Sequence, residues 1–467
     1  MRKGFGLITL LLSLLFTLPL YGQDAPVREN CNAPGYLTPR LVGGSYARVT
    51  EGQPNNVRSE PTMNAPVVTQ IQPGEIVYVT SAPNCVDGLV WWQVGFNEVD
   101  QIEDFGWTAE GADGEYWLEQ VRQPLAVPQG RTPITAENVG QISQFSQVEY
   151  GMVNRLVWSP DSTKLGVSTV GAVWVHDMTQ SGSEPRRYVP NPADTNQASG
   201  VMFSIGSDML FTIGSTASSF EIPRPGFRVW SLTGDENVTQ AMDLEPTEYG
   251  NVAAISPDLQ HIATGTWDGS ILLLDGSGAL LATLEDHSLL GAMQFSPDGL
   301  YLISTGGAGM MNNDPTLRVW DVFNTTALGS LDAGENSLFV EPTFSPDGTL
   351  LAVARLGATG ELIVMDVPSL APRFSLNLGE GSAVSSLSFN GDNSLLSATI
   401  SRYDATSQTS TFLLDIYDAQ TGTLISTLAF ESTVTKAALS PDGTLLAVVT
   451  EDPAFWGPSR VTLWAVP

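Results

Sequence analysis

A short turn motif recurs through the last two-thirds of this 467-residue chain. Each clear copy runs from an apolar residue into Ser-Pro-Asp, usually followed by Gly, and two degenerate copies fill the gaps. The apolar lead residues lie 40 to 52 positions apart, at Trp158, Phe203, Ile255, Phe295, Phe344, Phe389 and Leu439. A period of this length, made of short strands, is typical of propeller blades with four strands each. The repeat therefore predicts a β-propeller of seven blades.

The chemistry of this motif explains why each copy forms a tight hairpin. Proline fixes φ at about −65° in the first turn position, aspartate bonds to the neighbouring backbone, and glycine adopts the left-handed conformation. A second apolar strand follows the turn, as at Leu350–Val353. Because the pattern is one of strands throughout, it excludes a solenoid of helices.

The third strand of each repeat carries its own mark, which is clearest in Leu317–Asp321 with its final Trp-Asp pair. Related segments begin at Val173, Phe227, Leu362 and Val461. These segments resemble the terminal dipeptide region of WD repeats, and with the seven turns the resemblance extends from near Ile134 to the end. It implies a propeller of WD-repeat type that mediates protein–protein interaction.

The chain departs from the WD pattern in two respects. The Gly-His pair at the start of each repeat is missing, and Asp286-His287 is its nearest counterpart. The Trp-Asp pair is intact only at Trp320-Asp321. The resemblance therefore supports the fold more strongly than it supports the hydrogen-bond network that joins the strands in that family.

The closure of the ring can also be predicted from the repeat. The sequence stops at Pro467, just after a third strand, so the seventh blade lacks its outermost strand. The segment Ile142–Phe145 precedes the first full repeat and occupies the place of a fourth strand. We expect this strand to pair with Val461–Trp464, which closes the ring and removes two exposed edges.

The first residues have the pattern of an export signal. Arg2 and Lys3 precede an almost wholly apolar run over Phe5–Leu20, which is shorter than the roughly 20 residues that span a bilayer. We predict a secretory signal peptide over residues 1–22, with an uncleaved membrane anchor as the alternative. A lipid anchor would need a cysteine directly after the run, and the first cysteine is Cys31. The expected location is secreted, extracellular or cell-wall associated, without membrane insertion after signal removal.

Residues 31–121 are dense in Trp, Gly and Pro, and their short alternating runs predict a small all-β barrel. Four segments resemble a bacterial SH3-like domain in order and spacing, namely Asn56–Pro61, Pro73–Glu75, Trp91–Val94 and Gly106–Gly111. The resemblance implies a five- or six-stranded barrel that binds peptides or cell-wall polymers. A Pro-rich linker is expected over residues 122–136 and the propeller over residues 137–467. The predicted fold is all-β, with an SH3-like β-barrel followed by the seven-bladed propeller.

The candidate ligand-binding residues are aromatic or flexible apolar side chains. Strand alternation puts Trp91 and Trp92 on opposite faces, so Trp91 should be exposed if Trp92 fills the core. Trp107, at the start of the next strand, is a second aromatic candidate. Met310 and Met311 lie in an insertion between the second and third strands of the fourth blade, where they would suit an adaptable apolar contact.

Only two cysteines occur, Cys31 and Cys85, both in the N-terminal part of a chain expected to be exported. Oxidising conditions outside the cell favour a bridge between them. We expect one disulfide that ties the N-terminal tail to the barrel wall and has a structural role.

Composition and motifs point away from catalysis. The formal charge is −30, from 20 basic and 50 acidic residues, so nucleic acid and anionic membranes should be repelled. The three histidines, His176, His261 and His287, lie in separate settings, and the chain has neither a zinc-ligand cluster nor a Gly-x-Ser-x-Gly elbow.

These observations predict a secreted non-catalytic binding or scaffold protein, monomeric and without a cofactor or metal. Its expected partner is a protein or a cell-wall polymer. The alternative is a secreted propeller hydrolase acting on carbohydrate or peptide, which would need two carboxylates facing the central pocket.

Overall fold

The computed structural model describes residues 31, 35–80, 83–96, 105–169, 171–189, 198–215, 225–233, 239–242, 249–266, 268–285, 287–308, 314–451 and 459–467. The expected signal peptide over residues 1–22 lies outside these ranges, and so do Met310 and Met311. Strands make up nearly all the regular structure of the described residues, with a short 3-10 helix at Val139–Gln141. No helix in this part of the chain is long and apolar enough to cross a membrane.

The first part of the described chain is an N-terminal β-domain. Its strands are β1 (Ser45–Val49), β2 (Asn55–Arg58), β3 (Val67–Ile71), β4 (Ile76–Val79), β5 (Asn84–Val86), β6 (Leu89–Gly95), β7 (Phe105–Ala109), β8 (Gly111–Ala112), β9 (Glu115–Tyr116) and β10 (Leu118–Gln120). The main sheet has the order β10-β1-β4-β6-β7-β2-β3, with β5 beside β6, and β8 pairs with β9 separately. Alternate residues point inward and form a core that includes Trp92, Val57 and Val79.

A disulfide joins Cys31 to Cys85, whose Cα atoms are 5.3 Å apart. Cys85 is buried in strand β5, and Cys31 packs against the same core. The bridge holds the tail against the wall of the β-domain, as the sequence predicts.

The strands after the β-domain form seven four-stranded sheets, which are the blades of a β-propeller. Blades 1 to 3 consist of β12 (Val153–Trp158), β13 (Lys164–Thr169), β14 (Val173–Asp177), β15 (Arg186–Tyr188); β16 (Ala198–Phe203), β17 (Met209–Ser215), β18 (Pro225–Ser231), β19 (Thr239–Met242); and β20 (Tyr249–Ile255), β21 (His261–Thr266), β22 (Ile271–Asp275), β23 (Leu280–Leu284). Each sheet is an antiparallel meander from the axis outward, so the predicted seven-bladed propeller is confirmed.

Blades 4 to 7 follow the same plan. Their strands are β24 (Leu290–Phe295), β25 (Tyr301–Gly306), β26 (Thr316–Asp321), β27 (Thr326–Asp332); β28 (Leu338–Phe344), β29 (Leu350–Leu356), β30 (Thr359–Asp366), β31 (Ala371–Glu380); β32 (Ser382–Phe389), β33 (Leu395–Asp404), β34 (Thr409–Asp418), β35 (Leu424–Phe430); and β36 (Thr433–Leu439), β37 (Leu446–Glu451), β38 (Ser459–Ala465), with β11 (Ser143–Tyr150) as the outer strand of blade 7.

The Ser-Pro-Asp turn has the hydrogen bonds that its chemistry predicts. In blade 5 the hydroxyl of Ser345 donates to the carboxylate of Asp347 at 2.6 Å and accepts from the backbone N–H of Leu350 at 2.9 Å. Gly348 has a φ of 73°, the left-handed conformation that glycine adopts without strain. The serine therefore links the turn to the first residue of the second strand.

The ring closes where the sequence predicts. Strand β11 pairs antiparallel with β38, from Ser143 opposite Ala465 to Tyr150 opposite Ser459. A strand from near the start of the propeller thus completes the blade built from the end of the chain. The predicted pairing is confirmed.

Blade 7 packs on blade 1 through a buried cluster that we call the closure seam, formed by Val148 and Tyr150 of β11 with Trp174 and His176 of β14. The ring centroids of Tyr150 and Trp174 are 5.7 Å apart. The hydroxyl of Tyr150 is hydrogen-bonded to Nε2 of His176 at 2.6 Å. Nδ1 of His176 is buried without a hydrogen-bond partner. Burial lowers the pKa of His176 from 6.5 to about 3, so the imidazole is neutral.

The Pro-rich segment over residues 122–136 is irregular, as expected, but it is not a free spacer. Leu125 and Val127 are buried in the cluster that contains the closure seam. The backbone N–H of Val127 donates to the hydroxyl of Ser181 at 2.9 Å. The backbone N–H of Ile134 donates to the carbonyl oxygen of Gly443 at 2.7 Å. The segment therefore forms part of the propeller wall, because its apolar residues find a buried surface.

We expect acid to weaken the closure seam. Unfolding returns His176 to water, where its pKa is 6.5, so the unfolded chain binds a proton that the folded chain excludes down to a pH of about 3. This difference lowers the free energy of unfolding by about 1.4 kcal/mol for each pH unit below 6.5. The variant His176→Gln lacks the titration, so its urea midpoint should fall less than that of the wild type across this window.

The matched control is Val148→Ala, which removes apolar contacts from the closure seam and leaves the imidazole of His176 in place. This variant should be less stable than the wild type and should keep its pH dependence. Equal pH dependence of the wild-type and His176→Gln chains would contradict the assignment.

Candidate binding surfaces

The outer face of the N-terminal β-domain carries a row of cross-strand neighbours. Trp107 of β7 lies opposite Gln93 of β6 on one side and Arg58 of β2 on the other. Directly paired residues share a face, and Val67 of the edge strand β3 extends the row beyond Arg58. Trp107 is half-buried, and Val67 is exposed. We call the row of Gln93, Trp107, Arg58 and Val67 the Trp107 strip.

The Trp107 strip combines groups that suit a peptide or a sugar polymer. The indole of Trp107 offers an apolar face for stacking, the amide of Gln93 can donate and accept, and the guanidinium of Arg58 donates. One N–H of Arg58 donates to the carbonyl oxygen of Ala65 at 2.7 Å, which restrains the guanidinium. The strip is therefore a surface that can stack on a ligand and hydrogen-bond to it.

Trp91 does not have the exposure that we expected. Its position two residues before Gln93 puts it on the same outer face as Trp107, while Trp92 is in the core. The side chain of Trp91 is nevertheless only 1% exposed. Its indole N–H donates to the carbonyl oxygen of Val86 at 3.2 Å, which holds the ring against the β5–β6 hairpin. The prediction of an exposed Trp91 is wrong, because alternation fixes the face and not what covers it.

A buried carboxylate joins the core of the β-domain to the segment before β1. Glu110 accepts hydrogen bonds from the indole N–H of Trp92 at 2.8 Å and from the backbone N–H groups of Arg40 at 2.6 Å and Leu41 at 3.2 Å. Burial raises the pKa of Glu110, and these donors act in the opposite direction. The sequence analysis assigns no role to Glu110. Its position as the one charged residue of the motif Gly106–Gly111 is nevertheless a signal that its carboxylate accepts buried hydrogen bonds.

The segment held by Glu110 continues onto the propeller. Val42 belongs to the larger buried cluster that contains the closure seam. The backbone N–H of Gly151 donates to the carbonyl oxygen of Gly44 at 3.0 Å. Gly151 precedes β12, and Gly171 lies in the turn between β13 and β14. The contact is therefore at the end of blade 1 that lies opposite its Ser-Pro-Asp turn.

Two tyrosines also lie where the β-domain meets blade 1, and we call this interface the docking contact. The rings of Tyr46 and Tyr78 are 5.5 Å apart, and the hydroxyl of Tyr78 lies against Gly151. Burial raises the pKa of both phenols. Tyr78 pairs with Gly95, which pairs with Phe105, so the tyrosines share the outer face with the Trp107 strip. The propeller covers one part of this face and leaves Val67 of the strip exposed.

Blade 4 contains a buried hydrogen-bond network across its strands. Nδ1 of His287 lies 3.2 Å from Oδ2 of Asp314, and its Nε2 lies 2.8 Å from the hydroxyl of Ser304. The indole N–H of Trp320 donates to the same hydroxyl at 2.8 Å. The loss of the Gly-His and Trp-Asp pairs from most repeats put a hydrogen-bond network of this kind in question. It forms in the blade that keeps the Trp-Asp pair.

Beside the axis of the ring lies an ion pair. First strands line the axis of a propeller, and Lys436 of β36 places its Nζ 3.4 Å from Oε1 of Glu341 in β28. The same Nζ donates to the carbonyl oxygen of Ser385 in β32 at 3.1 Å, so the contact links three blades. Within the described ranges, no group of three or more His, Cys, Asp or Glu side chains could hold a metal ion.

These features define a WD-type β-propeller joined to an N-terminal β-domain. Residues 247–275 and 278–321 match the family described as WD domain, G-beta repeat. The matched residues span blade 3 and the first three strands of blade 4. The chain therefore contains WD40 repeats, and proteins built from them generally mediate protein–protein interaction.

Several curated proteins are similar to part of the chain. WD repeat-containing protein 1 of Mus musculus is 26% identical over 200 residues, which cover 40% of this chain and 29% of that protein. SEC12-like protein 2 of Arabidopsis thaliana is 28% identical over 149 residues, 31% of this chain and 36% of that protein. Nuclear distribution protein PAC1 of Coccidioides posadasii is 32% identical over 103 residues, 20% of this chain and 21% of that protein. The chain thus spans about 29% of the length of the first of these relatives.

The docking contact can be tested at a glycine. A Cβ at Gly171 would meet Val42 and lie 2.6 Å from the carbonyl oxygen of Gly43, whereas Gly140 has open space around it. We expect Gly171→Ala to loosen the docking of the β-domain and to increase hydrogen exchange at Gly151, whose backbone N–H donates to Gly44. Gly140→Ala is the control and should leave exchange unchanged. Wild-type exchange in Gly171→Ala would show that the contact does not hold the β-domain.

Proposed function

We propose that this chain is a secreted, non-catalytic binding or scaffold protein of the cell surface. In this proposal the propeller binds a protein partner, and the N-terminal β-domain is an SH3-like barrel that binds a peptide or a cell-wall polymer. The Trp107 strip is the observation that carries the second part, because it places an indole between an amide and a guanidinium on an outer face. The export pattern of residues 1–22 supports the location.

The disulfide and the docking contact are consistent with this function. A bridge between Cys31 and Cys85 suits an oxidising compartment. The β-domain is held on blade 1 through Val42 and Gly44, so a ligand on the Trp107 strip and a partner on the propeller would have a fixed relative position. Such an arrangement favours a scaffold over two independently moving modules.

The axial ion pair favours binding over hydrolysis. A glycosidase needs two carboxyl groups at a suitable separation. Glu341 is instead paired with Lys436, which offsets its charge. We therefore assign no catalytic residue to the central pocket.

Loss of the Trp107 indole tests the polymer-binding part of the proposal. We expect Trp107→Ala to weaken binding of the mature chain to insoluble peptidoglycan on the order of tenfold, because stacking on the ring is lost. Co-sedimentation with purified cell walls measures this. Tyr403→Ala is the matched control, since Tyr403 is an exposed aromatic residue on the propeller. Equal sedimentation of the wild-type and Trp107→Ala chains would remove the strip from the binding site.

The propeller part of the proposal is tested separately. Crosslinking of the tagged mature chain at the surface of the producing cell, followed by purification, should recover a protein that binds the purified chain directly. Recovery of the Trp107→Ala chain with the same protein is expected, because the partner site lies on the propeller. Failure of the wild type to retain any protein would contradict a scaffold function.

A further inference from the structure

One end of the propeller is lined with aspartates. We define the base as the end that carries the Ser-Pro-Asp turns, to which the third strand of each blade also returns. Every first turn has an aspartate, and five described third strands end in one. These residues are Asp161, Asp208, Asp258, Asp298, Asp347, Asp392 and Asp442 in the first turns, and Asp177, Asp275, Asp321, Asp366 and Asp418 at the strand ends.

In the first turns of four blades a small hydroxyl residue lies two positions after the aspartate, namely Thr163, Thr349, Ser394 and Thr444. In the first turns, the hydroxyls of Thr163 and Thr349 donate to the carboxylates of their own turns at 2.8 and 2.9 Å. In the turns after the third strands, Thr179 and Ser277 donate to Asp177 and Asp275 in the same way. These turns therefore present a polar surface and satisfy their own hydrogen bonds.

Blade 4 has a large apolar residue at this position in both of its base turns. Leu300 occupies the position of Thr163 and Thr349, and Phe323 occupies the position of Thr179 and Ser277. The side chain of Leu300 is 55% exposed, and that of Phe323 is 89% exposed. A large apolar side chain at this exposed position cannot donate the hydrogen bond that threonine or serine gives to the carboxylate of the turn.

The two apolar residues belong to one surface. The backbone N–H of Val322, next to Phe323, donates to the carbonyl oxygen of Leu300 at 3.0 Å. Carboxylates flank the pair, since Asp298 is in the turn of Leu300 and Asp321 precedes Phe323 by two residues. We call these four residues, Leu300, Phe323, Asp298 and Asp321, the blade 4 base patch.

The charged side chains in the base turns of blades 3 and 4 are all carboxylates. Hydrogen bonds from the backbone and side-chain amides of Asn324 lower the pKa of Asp321, so its carboxyl is ionised at neutral pH. The base turns of blades 3 and 4, over residues 256–261, 275–280, 296–301 and 321–326, contain neither lysine nor arginine. A partner of this patch must therefore supply the positive charge.

The charge also selects among possible occupants. A second copy of the chain would bring a formal charge of −30 and an equally acidic base, so like charges would oppose the contact. An anionic membrane surface would be repelled for the same reason. A polypeptide with basic residues around an apolar side chain can pair with the carboxylates and also cover the exposed ring of Phe323 and the methyl groups of Leu300.

We propose that the blade 4 base patch docks a basic polypeptide segment whose aliphatic or aromatic anchor side chain is flanked by lysines or arginines. The proposal rests on the proposed function of the propeller, and it specifies the chemistry and the place of the partner. Phe323 and Leu300 contact the anchor, and Asp298 and Asp321 face the flanking cations.

The test uses the full mature chain and a short labelled synthetic peptide of alternating lysine and leucine. A second peptide has serine in place of every leucine and the same charge. Fluorescence anisotropy at about 0.15 M ionic strength limits the contribution of distant charges. We expect the double variant Leu300→Thr/Phe323→Ser to bind the lysine–leucine peptide on the order of tenfold more weakly than the wild type.

The matched control is Ile205→Ser, which removes another exposed apolar side chain from the base, 57% exposed and close to Asp208 in blade 2. This variant should bind as the wild type does. Equal binding of the lysine–leucine peptide by the wild type and the double variant would overturn the proposal. Equal binding of the lysine–leucine and lysine–serine peptides by the wild type would also overturn it, because the contact would then be one of charge alone.

Two further outcomes separate this inference from the function on which it rests. Dimerisation of the wild type, lost in the double variant and seen by analytical ultracentrifugation, would identify a second copy as the occupant and overturn the proposal. If the protein recovered by surface crosslinking binds the double variant as well as it binds the wild type, the scaffold function stands and the blade 4 base patch is not its site.

Discussion

The pairing of β11 with β38 is the contact on which both halves of the molecule depend. Without it, blade 7 would keep three strands and the ring would have two open edges. The same strand supplies Tyr150 to the buried interface with blade 1. Because β11 follows the Pro-rich segment after one short 3-10 helix, closure also places that segment along the wall and brings the β-domain against Gly151. The position of the β-domain thus follows from how the ring closes.

The extent to which the sequence predicts the structure depends on the range of the interactions involved. The turns, the number of blades and the closing strand are predictable, because each follows from local chemistry repeated at a fixed period. Trp91 is buried against a neighbouring hairpin, which a pattern of alternating residues cannot foresee. The bonds from Arg40 and Leu41 to Glu110 and the fit of Val42 beside Gly171 depend on residues far apart in the chain. Met310 and Met311 remain predictions, because they lie outside the described residues.

The blades share a plan but differ in what they add to it. Blade 4 combines the buried network around His287 with the apolar pair Leu300 and Phe323 at its base. The network joins strands β25 and β26 through Ser304 and Trp320, and the same strands lead from Leu300 and into Phe323. A binding surface is best placed on a rigid backbone, because less conformational entropy is then lost when the partner binds. The repeats provide the comparison within one chain, because several other blades carry threonine or serine at the positions of Leu300 and Phe323.

The route of the chain from the β-domain into the ring has a mechanical consequence. If one partner held the β-domain and another pulled on the propeller, tension would enter the ring through the segment over residues 122–136 and reach β11 first. The force would then act on the hydrogen bonds between β11 and β38, which hold both ends of the propeller together. Once the contact of the β-domain with blade 1 had parted, resistance to stretching would be set by this one pair of strands, and its rupture would release the ring at both termini at once.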